Sequence, residues 1–103
     1  MSKMVKEVEN KLNEAIALAV EKATQSGDLP EAEMPKFIIE KPADKKNGDF
    51  SSNIAMAGAR AYKMAPRMIA QAIVDSIDLD GTLFDRAEIA GPGFINFYLA
   101  DEY

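Results

Sequence analysis

Val5, Val8, Leu12, Ala15, Ile16, Ala19, Val20 and Ala23 recur at three- and four-residue steps, with Lys, Glu and Asn between them. Side chains at that spacing share one face of an α-helix, so the stretch predicts a single amphipathic helix of about five turns. Glu7 stands four residues before Lys11, the favourable order for a helical ion pair. Gly27 follows as a helix stop. Residues 28–35, acidic and carrying Pro30 and Pro35, show no stripe and are expected to form a loop.

Beyond the loop the periodicity changes. Phe37-Ile38-Ile39, closed by Lys41-Pro42, has the β-branched and aromatic content of a strand of about four residues. Asp44 to Gly48 is turn chemistry with an Asn47-Gly48 hairpin signal, and a second short strand or edge segment over 48–51 follows. Ser52 or Asn53 is placed to cap a second helix running from Ile54 to Tyr62. In that helix Ala55, Ala57, Gly58, Ala59 and Ala61 allow a neighbour to approach closely. Pro66 suits the first position of a third helix, whose stripe is Ile69, Ile73 and Ile77 with Ala70 and Val74 beside it. Asp78-Leu79-Asp80-Gly81 ends that helix. Phe84 to Ala90 alternates weakly, Gly91-Pro92-Gly93 is a tight turn, and Phe94-Ile95-Asn96-Phe97-Tyr98-Leu99 is a strong strand. The resulting order is helix, two short strands, two helices, two strands. It predicts an α+β fold of two layers, with helices packed on one face of a small, largely antiparallel four-stranded sheet.

Period 2 then sorts the last strand. Ile95, Phe97 and Leu99 share an apolar face that belongs against the helices, leaving Phe94, Asn96 and Tyr98 on the face towards solvent. Two rings flanking an amide suit a nucleobase, because a ring stacks and an Asn amide both donates and accepts at a base edge. The same pattern also follows from the strand propensity of aromatics, with a ring lidding the sheet edge. Gly91-Pro92-Gly93 has neither the frame nor the strand-to-helix context of a phosphate-binding loop and reads as a hairpin turn. Polar groups in the segment 48–53 can receive an anion or satisfy the amides of the helix they precede, and Asp49 can pair with an Arg.

Composition narrows the chemistry. The 103 residues include no Cys, His or Trp, which removes disulfides, thiolate nucleophiles, imidazole bases and Cys- or His-ligated metals. No catalytic residue and no metal ligand set is identified. No apolar run is long enough to span a membrane, and no signal-peptide core follows Met1, so a cytoplasmic domain is expected. The six Met, among them Met4, Met56, Met64 and Met68 on helical segments, are expected to fill core gaps. The net charge of −5 is unevenly distributed, and residues 36–67 alone are basic, with Lys36, Lys41, Lys45, Lys46, Arg60, Lys63 and Arg67 against Glu40, Asp44 and Asp49. Such a segment can face a phosphate backbone or solvate loops.

Three signatures occur in order along nearly the whole chain. They are Gly48-Asp49-Phe50 with Asn53-x-Ala55-Met56, then Ala65-Pro66-Arg67-x-Ile69-Ala70, then Ile89-Ala90-Gly91-Pro92-Gly93-Phe94-Ile95-Asn96. In these the chain, from about residue 4 to residue 99, resembles the N-terminal additional domain of arginyl-tRNA synthetases. The resemblance implies one domain over residues 1–103, a fragment of a longer class I synthetase, touching the D-loop at the tRNA elbow. It implies Phe94 as stacking ring and Asn96 as hydrogen-bonding amide, with a largely structural role for Gly48-Asp49-Phe50; Tyr98 shares their face.

Lys45 and Lys46, in the basic segment, are the expected phosphate contacts. The class I catalytic signatures, one of which requires histidine, are absent, so ATP (with magnesium) and arginine would be handled by a catalytic domain elsewhere in the same chain. This fragment would be catalytically inert and without a cofactor. The expected partners are arginine tRNA and that catalytic domain, with no membrane and no second subunit. The competing expectation is a protein-interaction or bracing module that reads no nucleic acid, its Phe94 and Tyr98 face docking a subunit.

Overall fold

The helical stripe does what its spacing requires. Val8, Leu12, Ala15, Ile16, Ala19, Val20 and Ala23 are all buried, along a helix that runs from Lys3 to Ser26 and stops at Gly27. The computed structural model describes residues 3–32, 36–42, 48–80 and 82–100. In these, α1 (Lys3–Ser26) is followed by β1 (Ile39–Glu40), β2 (Phe50–Ser52), α2 (Ile54–Tyr62), α3 (Pro66–Ser76), β3 (Phe84–Ala90) and β4 (Phe94–Leu99). This is the expected two-layer arrangement. The strands form one antiparallel sheet in the order β1-β2-β4-β3, so β4 is central although it comes last in sequence.

The α3 helix packs against α1, α2 and both long strands. Ile69, Ala70, Ala72 and Ile73 point into the shared core. There they meet Leu12, Ile16 and Ile54 together with Ile95 and Phe97 of β4, all without solvent exposure. Phe84 packs edge-to-face on Phe50 and on Phe97, with ring centroids 5.6 and 6.1 Å apart. Both geometries suit the ring quadrupole.

Several local expectations are corrected. The first strand is shorter than predicted, because the Ile38 N–H donates to the Asn53 Oδ1 at 2.9 Å instead of to a strand. Asn53 stands at the N-cap of α2 but makes no side-chain cap, since that oxygen is already engaged. The Ser52 hydroxyl accepts instead from the Ile54 N–H at 3.2 Å, so the helix start satisfies its own amide. The α3 helix ends at Ser76, leaving Ile77 extended and half-buried. Met64 packs against the core, whereas Met56 and Met68 are exposed, and the Met4 side chain lies outside those described. Glu7 and Lys11 form no ion pair; among the described residues the pair that closes is Arg86–Glu88. Pro35, Asp44 to Asn47 (the predicted turn) and Gly81 lie outside the described residues.

Candidate nucleic-acid interface

Antiparallel register places residues on the helix-free face of the sheet in cross-strand rows. Glu40 pairs with Ser51, Ser51 with Asn96, and Asn96 with Glu88, so one polar row crosses all four strands. The next positions along pair Phe94 with Ala90, and Tyr98 with Arg86. The predicted alternation of β4 is therefore present. Ile95 and Phe97 are fully buried, and Phe94 is 38% exposed on the opposite side.

The face is concave. Glu40, Pro42, Ser51, Ala90, Gly91, Pro92, Phe94 and Asn96 line a depression of about 380 Å³. Small-ligand clefts begin at roughly 300 Å³, so this volume has room for a planar group. Asn96 is only 4% exposed, so its amide lies at the floor and not on an open plane. No hydrogen bond joins that amide to another described residue, which leaves its donor and its acceptor without a partner among them.

The structure thus brings Phe94 and Asn96 together and sets Tyr98 apart. Tyr98 is half-buried, with the Arg86 guanidinium carbon 3.9 Å from its ring centroid. Arg86 also donates from Nε to the Glu88 carboxylate at 2.7 Å. That hydrogen bond holds the Arg86 pKa above its ordinary value. Lys45 and Lys46 lie outside the described residues.

What holds β4 in place is instructive. The Asp49 N–H donates to the Phe97 carbonyl, and the Asp49 carboxylate accepts from the Leu99 N–H, each at 2.9 Å. A side chain thereby extends the β2–β4 pairing by one bond, in place of the Asp49–Arg pair that the sequence allowed. Gly48 has φ +89°, and a Cβ there would lie 2.8 Å from the Phe97 carbonyl oxygen. At the other end of β4, Gly93 packs on Pro66, and Arg67 donates from Nη1 to the Gly91 carbonyl. The three sequence signatures are therefore neighbours in space, and each supports the strand that carries Phe94 and Asn96.

The family described as arginyl tRNA synthetase N terminal domain matches residues 6–99. The chain belongs to that family. Three arginine–tRNA ligases illustrate the match: it is 42% identical to that of Acetivibrio thermocellus over 103 residues, 46% identical to that of Desulforamulus reducens over 99, and 50% identical to that of Listeria welshimeri over 100. The alignments cover 100%, 96% and 97% of this chain, which spans 18%, 18% and 17% of the length of those relatives. Two solved arginyl-tRNA synthetases share the fold. That of Plasmodium falciparum matches with a TM-score of 0.65 at 18% identity, over 100% of this chain and 17% of its own. That of Thermus thermophilus matches with a TM-score of 0.58 at 24% identity, over 82% of this chain and 13% of its own.

For this member of the arginyl-tRNA synthetase N-terminal family, sequence reasoning missed Glu40, Ser51 and Pro42 as neighbours of Asn96. Strand order brings them there, and no periodicity encodes strand order. Arg86 and Glu88 were within reach of the alternation in β3, which sets them opposite Ala87 and Ile89. Among the described residues no group of acids is placed to hold a metal ion. No described helix is long and apolar enough to cross a membrane.

Proposed function

We propose that this domain is the tRNA-recognition module of an arginine–tRNA ligase, binding the D-loop of arginine tRNA. The carrying observation is that Phe94 and Asn96, which sequence alternation puts on one face, line a single depression with room for a planar group. Phe94 offers a ring to stack on, and the Asn96 amide offers donor and acceptor to a base edge. Lys45 and Lys46 supply phosphate contacts that position the tRNA without reading its sequence. Aminoacylation itself, with ATP and magnesium, belongs to a catalytic domain of the same chain, in a cytoplasmic monomer. The family match and the ligase names of the relatives support this reading.

The test is Asn96→Ala in the full-length ligase. A lower kcat/KM for arginine tRNA is expected, with ATP-dependent activation of arginine retained. Equal losses in both assays would refute base recognition by this face. Unchanged tRNA kinetics would favour the bracing or protein-interaction role.

A further inference from the structure

Arg86 is the one basic residue within the four strands, which otherwise carry Glu40, Asp85 and Glu88. A polyanion laid across this face meets a carboxylate at each end of the polar row. Glu88 is directly opposite Asn96. Arg86 is opposite Tyr98, and so lies diagonally from Asn96, about 7–8 Å away between backbones at such positions. An extended Arg side chain spans that distance easily.

Two contacts define the state of this guanidinium. One of its faces lies on the Tyr98 ring at 3.9 Å. Its Nε is engaged by Glu88 at 2.7 Å. Its two terminal nitrogens make no hydrogen bond to another described residue, and the side chain is 56% exposed. A planar guanidinium held by ring and carboxylate, with both Nη groups open, has the geometry for bidentate binding of a phosphate.

We propose that Arg86 is a phosphate anchor for the nucleotide whose base enters the Phe94–Asn96 depression, and that Tyr98 positions it by stacking. Tyr98 thereby serves the interface through Arg86 and not as a base platform. The proposal rests on the tRNA reading above. Glu88 completes the arrangement. It takes Nε alone, which orients the fork, and its own charge is offset by Arg86, so the face admits a phosphate beside the amide.

Equilibrium binding of arginine tRNA to the full-length ligase, followed over a range of salt concentrations, tests this. One phosphate contact contributes ~0.7–0.9 to the slope of log K against log salt, so between about 50 and 200 mM it alone changes affinity about threefold. Arg86→Gln is expected to weaken binding and to flatten the slope by that amount, while Arg86→Lys keeps the slope. Tyr98→Leu is expected to weaken binding in the parent protein and to have no further effect beside Arg86→Gln. Asn96→Ala is expected to weaken binding with the slope unchanged. If Asn96→Ala weakens binding but Arg86→Gln alters neither affinity nor slope, the anchor is refuted and the base site stands. If Arg86→Gln weakens binding at constant slope, the guanidinium stacks on a base and the phosphate assignment is wrong. If neither substitution matters, the interface itself is refuted and the anchor with it.

Discussion

Gly93→Ala is the sharpest test of how the interface strand is held. Gly93 has φ +147°, and a Cβ there would lie 2.5 Å from the Pro66 Cβ and 3.2 Å from the Pro66 carbonyl carbon. Neither partner is the free end of a flexible chain, since Pro66 is fixed by its ring at the start of α3. The turn must therefore move away from the helix. Overpacking of this kind costs about 1–3 kcal/mol, and a side chain in a sparsely populated backbone region a further 1–3 kcal/mol. The sum is about 2–6 kcal/mol, or roughly 8–24 °C in Tm at ~4 °C per kcal/mol for a domain of about this size. Gly91→Ala, in the same turn, is the control. Its φ is +56° and the nearest atom to a Cβ is 3.9 Å away, so strain remains but the clash does not. Urea denaturation of the two variants beside the parent measures the difference directly. A loss below about 1 kcal/mol for Gly93→Ala, or equal losses at both positions, would contradict close packing of turn on helix.

Two further substitutions probe the supports. Asp49→Ala removes a charged acceptor from the half-buried Leu99 N–H. A loss of about 1–3 kcal/mol in chemical denaturation is expected from an orphaned donor, and a change within experimental error would show that the bond contributes nothing. The Tyr62 hydroxyl is buried with no hydrogen-bond partner among the described residues, so Tyr62→Phe should leave stability unchanged or raise it; a marked loss would reveal a further partner. Burial also raises the Tyr62 pKa above the ordinary phenol value of 10.0. The neutral form is the one favoured by folding, so its contribution is complete below pH 10.0 and declines as pH rises through the folded-state value. Alkaline titration of stability should therefore fall less steeply in Tyr62→Phe than in the parent, and identical curves would rule out this origin.

Much of the molecule was legible in local pattern. The stripe of α1, the Pro66 start of α3, the turn at 91–93 and the alternation of β4 all follow from spacing, because helix and strand periods act between residues near in sequence. That same alternation separated Phe94, Asn96 and Tyr98 from the core-facing Ile95, Phe97 and Leu99. Tertiary structure decided the rest. Asn53 reads as a cap in sequence, yet its oxygen serves Ile38, fifteen residues away, because β1 folds back beside the start of α2. Asn96 reads as an exposed amide, yet placing β4 between β2 and β3 sinks it between Ser51 and Glu88. Tyr98 reads as a second free ring, yet cross-strand pairing sets Arg86 over it. In each case the deciding partner is distant in sequence. Local periods specify which face a side chain takes, while strand order specifies what it finds there.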